Sequence, residues 1–182
     1  MFVEGRLHRT IEASGDLTRV TIIDQTALPF EFKLIDLNSL EDVIQAIKFM
    51  QVRGAPLIGV TSAYGIALAI NNDSSDESLK KAAISLKESR PTAVNLEWAV
   101  NQMLEHLKGY DFHNRPKAAW LYANQLAEDD IKTNKDIISE LIIYIFQYYF
   151  TNIFYKSKKI TENNIEYIIK YDLLDNINYF RN

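Results

Sequence analysis

The chain has 182 residues, 47% of them apolar and 24% charged, with three His, no Cys and a formal charge of −4 at pH 7. Without Cys, disulfides, thiol nucleophiles, thiolate zinc sites and iron–sulfur clusters are excluded. The acidic balance argues against a broad nucleic-acid surface. Six Gly and four Pro amount to about half of average usage, which favours long helices over a many-turned β-sandwich.

No basic region followed by an apolar run opens the chain, so no secretory signal is expected and the cytoplasm is the default location. Residues 5–37 read as strands. Leu7, Thr10 and Ile11 precede a turn at Ser14-Gly15-Asp16, and Val20-Thr21-Ile22-Ile23 is β-branched and apolar. Pro29 separates this run from the alternating segment Phe30–Ile35. The prediction is a small antiparallel sheet with one buried face.

From Ser39 the period becomes helical. Ser39 is an N-cap, Glu41 and Asp42 follow in the first turn, and Val43, Ile44, Ile47 and Met50 form one apolar stripe. Arg53-Gly54-Ala55-Pro56 breaks that helix. The next, about 56–70, is apolar nearly all round and is therefore expected to be central and buried. Asn71-Asn72-Asp73-Ser74-Ser75 reads as a loop. A Lys-bearing helix is expected over about 77–88, another over about 93–108 ended by Gly109, and another over about 114–132. A helix over 137–155 and one over 162–174 complete the prediction. The 137–155 stretch is mostly apolar, but Ser139, Glu140, Gln147, Thr151 and Asn152 within it disfavour a membrane span.

Composition divides the chain. Residues 1–136 hold every Gly, Pro, Ala, Val, Met, His and Trp, whereas residues 137–182 hold none of these and contain eleven Ile, seven Tyr, six Asn and four Phe. The favoured residues have A/T-rich codons. The division marks residues 1–136 as one domain and 137–182 as a divergent tail with its own origin or a changed reading frame, the plainer alternative being a biased but native C-terminal segment.

Two segments carry chemistry. In Arg53-Gly54-Ala55-Pro56, Gly54 leaves the backbone open to a ligand, and Pro56 suits a helix start, where a missing N–H costs nothing. Free N–H groups and the helix dipole attract an anion there, and Arg53 can add a bidentate contact to a phosphate. Arg90-Pro91-Thr92-Ala93-Val94-Asn95-Leu96 repeats the layout, with Thr92 as N-cap. Together they point to a phosphorylated small molecule, although an Arg before a helix is more often a solvated surface residue. Other polar residues take structural readings. Asp24 is a hydrogen-bond acceptor at a strand end. Asp129 and Asp130 form a solvated face. Tyr64, Trp98, Leu104 and Leu107 are core, and the three His are surface or satisfied residues.

Asp24-Gln25-Thr26-Ala27-Leu28-Pro29, the run Met50-Gln51-Val52-Arg53-Gly54-Ala55-Pro56-Leu57-Ile58-Gly59, Ala63-Tyr64-Gly65, and Arg90-Pro91-Thr92-Ala93-Val94-Asn95-Leu96 with Trp98-Ala99 closely resemble the N-terminal domain of the S-methyl-5-thioribose-1-phosphate isomerase family. Ribose-1,5-bisphosphate isomerase and the alpha, beta and delta regulatory subunits of the translation-initiation exchange factor share that superfamily. The resemblance covers about residues 1–137. It implies an aldose–ketose isomerisation of 5-methylthioribose 1-phosphate to 5-methylthioribulose 1-phosphate in methionine salvage, without metal or organic cofactor, in a homodimer. By match, Arg53, Gly54 and Ala55 fall on the substrate-binding stretch and Arg90 on a second substrate contact.

The family's catalytic Cys and Asp belong to a C-terminal Rossmann-like domain with no counterpart in this sequence, so no catalytic residue is assigned. The expected fold is α+β and mainly helical, with a small N-terminal antiparallel sheet packed on a helical bundle and a helical tail. The expected protein is the N-terminal portion of such an isomerase, truncated or frameshifted, inactive alone, and binding its sugar phosphate weakly or not at all. The alternative is a non-catalytic helical interaction module related to the exchange-factor subunits. A frame change predicts that, on resequencing the coding DNA past codon 137, another frame resumes with Ile-Gly-x-x-Gly and then Cys-Asn-Ala-Gly. An uninterrupted absence of both in all frames overturns it.

Overall fold

The computed structural model describes residues 2–3 and 5–156. The expected α+β, mainly helical architecture is observed. A hairpin of β1 (Phe2–Val3) and β2 (Arg6–Leu7) comes first. A three-stranded antiparallel sheet follows in the order β3 (Ile11–Ala13), β4 (Val20–Ile23), β5 (Leu34–Leu37). The 14–18 turn closes β3 onto β4 because the Asp16 carboxylate accepts from the Thr18 hydroxyl and the Ser14 hydroxyl accepts from the Arg19 N–H.

β5 begins four residues later than the alternation predicts. Residues 24–31 are held as turns by Ala27 N–H to Asp24 O and by Phe30 and Glu31 N–H to Ala27 O. The ladder then pairs Ile22 with Ile35 and Val20 with Leu37, which puts Leu37 inside. Phe30, Phe32 and Leu34 have the opposite parity, and Phe30 is almost fully exposed.

Helix α1 (Leu40–Lys48) starts as read, with the Ser39 hydroxyl accepting from Asp42 N–H at 3.2 Å. Val43, Ile44 and Ile47 are buried, but Met50 is not part of the stripe. The helix ends at Lys48, and Met50 lies beyond it in the left-handed region, with φ +60°.

Helix α2 (Ala55–Asn72) is the centre of the bundle. It buries residues 58–68 and Ile70 against α1, α3 (Asp76–Ser89) and α4 (Val94–Leu107). Asn71 and Asn72 belong to its last turn rather than to a loop. Asn71 is held there by Trp120 Nε1–H donating to its Oδ1 at 2.9 Å and by its own Nδ2–H donating to Leu17 O at 2.9 Å. The buried hydroxyls of Thr61 and Ser62 donate to carbonyls one turn back, each at 2.7 Å, so they carry no unmet polarity. α3 turns Leu79, Ala82, Ala83 and Leu86 inward and its lysines outward. Gly109 follows α4 but is not left-handed; Lys108, still helical, is the cap.

Helix α5 (Arg115–Lys156) runs without a break through 133–136, joining the two helices expected over about 114–132 and 137–155. After Pro116 it contains neither Gly nor Pro, so no residue stops it. The predicted 162–174 helix lies outside the described residues. The chain divides into two units, Met1–Asp130 and Ile131–Asn182. In the first, Ala119, Trp120, Ala123 and Ala127 join the core. Arg9 binds Glu128 with two hydrogen bonds of 2.5 and 2.9 Å. In the second, the apolar side chains from Ile137 to Tyr148 are mostly exposed. No helix of the described residues is long and apolar enough to cross a membrane.

Close approach fixes α2 against its neighbours. A Cβ on Gly59 would stand 2.9 Å from the Asn95 carbonyl oxygen, and one on Gly65 would stand 2.9 Å from Val43 Cγ1. Gly59→Ala therefore tests which effect wins. Helix propensity favours Ala by about 1 kcal/mol, whereas overpacking against backbone costs about 1–3 kcal/mol. Net destabilisation in urea unfolding is the expected outcome.

Candidate functional site

The site begins where α1 stops. Gln51 N–H reaches Ala46 O at 2.9 Å and Met50 N–H reaches Ile47 O at 3.2 Å, the paired bonds of a Schellman cap. Gln25 N–H donates to Gln51 O at 2.9 Å, which ties the turn after β4 to this segment. Asp24 anchors that turn from a buried position, its carboxylate accepting from the Thr26 N–H and hydroxyl, as the strand-end reading expected.

Gly54 is the N-cap of α2 with φ +93°, a backbone open to glycine at no steric cost. A Cβ there would meet nothing within 4 Å, so the backbone is also open to solvent. The first intrahelical bond runs from Ile58 N–H to Gly54 O at 3.0 Å. The N–H groups of Ala55 and Leu57 precede it and face no helical carbonyl, and Pro56 has none to leave unmet. Arg53 is exposed, and its Nε–H donates to Met50 O at 3.2 Å. Among the described residues no carboxylate pairs with it.

Arg90 caps the C-terminus of α3. Its carbonyl accepts from Ala93 N–H at 3.0 Å, and its Nη1 is buried with no hydrogen-bond partner. It lines a cavity of about 220 Å³ with Lys87, Glu88, Pro91, Ala93, Leu96 and Glu97. Arg53 is not among the lining residues. Lys87 there is engaged by Asn101 at 2.8 Å and by Glu97 at 3.6 Å. Thr92 does not cap α4: the N-cap is Ala93, without a side-chain bond, because the 90–93 turn delays the helix to Val94 and leaves Thr92 exposed.

The Gly59–Asn95 contact places the two helix starts at one end of the α2–α4 pair. Gly59 is five residues past Gly54, about 7 Å along the helix, and Asn95 lies in the first turn of α4. Trp98, expected in the core, is instead 53% exposed in the second turn of α4, and Val94 at its start is exposed as well. Tyr64 is core as expected. Its hydroxyl donates to Asn124 Oδ1 at 2.8 Å, and burial pushes its pKa up to about 12.

The other polar residues read as structure. His106 stacks on Tyr122 at 4.1 Å, and His8 packs on Phe32. Among the described residues no group of three His, Asp or Glu could hold a metal. Sequence reasoning missed Arg115. It is buried, bonded to Ser74 O at 2.7 Å and Asp76 at 2.8 Å, and lies over the Phe112 ring. Its partners Ser74 and Asp76 are distant in sequence, so no local pattern announces the pairing.

The Initiation factor 2 subunit family matches residues 51–148. The chain belongs to that family. Methylthioribose-1-phosphate isomerase of Escherichia coli O45:K1 is 47% identical over 131 residues, which are 72% of this chain and 35% of that protein. The crystal structure of 5-methylthioribose 1-phosphate isomerase from Pyrococcus horikoshii is 34% identical with a TM-score of 0.62, over 68% of this chain and 37% of the other. The delta subunit of translation initiation factor eIF-2B from A. fulgidus is 38% identical with a TM-score of 0.62, again over 68% and 37%. The chain thus spans little more than a third of the length of the isomerases it matches.

Because Arg53 is exposed and unpaired, Arg53→Ala is expected to change folding stability by no more than about 0.5 kcal/mol in urea unfolding. A larger loss would mark Arg53 as part of the structure rather than of a site.

Proposed function

We propose that residues 1–136 form the sugar-phosphate-binding part of a methylthioribose-1-phosphate isomerase, holding 5-methylthioribose 1-phosphate during its conversion to 5-methylthioribulose 1-phosphate. The observation that carries this is the pair of arginines, Arg53 and Arg90, beside neighbouring helix starts, neither paired with a carboxylate among the described residues. A phosphate is the chemical complement of such a place. It accepts from the N–H groups of Ala55 and Leu57, is favoured by the dipole of α2, and takes a bidentate contact from a guanidinium. The names of the relatives supply the substrate class that fits it.

Moving hydrogen between adjacent sugar carbons requires a positioned acid and base in a water-poor cleft. The chain has no Cys, and Asp129 and Asp130 lie on α5, outside the two segments of the site. This part therefore binds and orients the phosphate end, and the proton-moving groups come from elsewhere in the assembled enzyme. The composition change at 137 supports reading residues 137–182 as a segment of separate origin or changed frame. The same reading makes the assembly a homodimer and the compartment cytoplasmic. The exchange-factor reading, a non-catalytic module, rests on the likeness to the eIF-2B delta subunit alone.

Calorimetric titration of the 182-residue chain with 5-methylthioribose 1-phosphate tests the proposal. Weak, salt-sensitive binding is expected, reduced about tenfold or more by Arg53→Ala or Arg90→Ala through loss of a charge-assisted contact. Turnover by this chain is expected to be negligible. Absence of binding, or binding indifferent to both substitutions, overturns the proposal.

A further inference from the structure

Arg90 shares its cavity with two carboxylates and pairs with neither. Lys87 and Arg90 are the cations of that lining, and Glu88 and Glu97 are the acids. Arg90 Nη1 is buried without a hydrogen-bond partner, and among the described residues no ion pair joins its guanidinium to an acid. A guanidinium beside a carboxylate ordinarily takes it, because the charge-assisted bond offsets desolvation of both groups.

Glu88 is kept off by spacing. It lies two residues before Arg90 at the end of α3, and side chains so spaced do not face each other on a helix. Glu97 has no such restriction. It stands in the first turn of α4, where the helix dipole favours an anion. It is therefore the acid with which a ligand anion at the same helix start has to compete.

Glu97 is held by Lys87. Lys87 Nζ lies 3.6 Å from Glu97 Oε1 and donates to Asn101 Oδ1 at 2.8 Å. Glu97 and Asn101 are one turn apart on α4, so a lysine from the last turn of α3 meets two groups on one face of the facing helix. The Lys87 side chain is 34% exposed against 63% for Glu97, so the lysine is the more enclosed partner. Without its charge, Glu97 would be a free carboxylate in a cavity whose remaining cation is Arg90. A carboxylate tethered there competes at an effective concentration far above that of a dilute ligand.

We propose that Lys87 is a positioning residue for the phosphate site: it holds the Glu97 carboxylate and so keeps Arg90 unpaired for the anion. This rests on the phosphate-ester reading given above, and adds what stops the protein's own acid from taking the place of the phosphate. The pair is partly exposed and contributes little to folding. Its effect is on which anion Arg90 meets.

The test is calorimetric titration of the full 182-residue chain with 5-methylthioribose 1-phosphate, on the wild type, Lys87→Met, Glu97→Gln and the double variant. All are expected to keep the circular dichroism of the wild type, since methionine retains the apolar stem of the lysine. Lys87→Met should bind about fivefold more weakly, because Glu97 turns to Arg90. Glu97→Gln alone should stay within about twofold of the wild type, since that acid is already held, and the double variant should return to the same range. A double variant as weak as Lys87→Met shows that the lysine touches the ligand itself and overturns the proposal. Equal and opposite changes in the two single variants, the result of simple addition of charge, overturn it too, as does wild-type affinity in Lys87→Met. In these three outcomes the wild type still binds, so the phosphate-ester site stands. A wild type that binds no ester overturns that site and this proposal with it.

Discussion

A helix with apolar residues on every side can exist in water only if every side is covered. Helix α2 is such a helix, and the first unit is arranged to cover it. Packing at this density needs small residues where backbones cross, and α2 supplies them at Gly59 and Gly65. Gly59 lets the Asn95 carbonyl approach, so the start of α4 comes to the start of α2. The meeting of two helix N-termini at one end of the pair is a by-product of core packing, and the proposed phosphate site rests on it.

That end is held by backbone rather than by side-chain networks. The cap of α1, the left-handed Met50 and Gly54, and the bond from Gln25 to Gln51 together set the direction in which the chain enters α2. Arg53 makes one bond within the segment, to Met50 O, and no acidic residue among the described residues pairs with it.

The opposite end is built on different physics. Arg115 is buried against Asp76 and the Ser74 carbonyl, joining the start of α5 to the start of α3, and Trp120 bonds to Asn71 at the end of α2. A buried guanidinium has to be compensated by partners that the fold brings in. Protein acceptors meet the two Nη groups of Arg115, while its Nε, like Nη1 of Arg90, is buried without a hydrogen-bond partner.

The elements and the polar motif at the head of α2 were legible in the sequence because they depend on local rules. Ser39 caps because its hydroxyl reaches its own helix, α2 is buried because it is apolar all round, and Arg53-Gly54-Ala55-Pro56 starts a helix because glycine and proline limit what the backbone can do. Positions set by long-range choices were not legible. β5 took the parity that pairs Ile35 and Leu37 with β4, not the one its alternation displayed. Trp98 faced solvent because the Gly59 contact fixed the rotation of α4, and Met50 left its stripe because α1 closed one turn early. Local chemistry thus determined which segments are helices and where the open start of α2 lies. Only tertiary packing decided which faces are inside, since that depends on partners dozens of residues away.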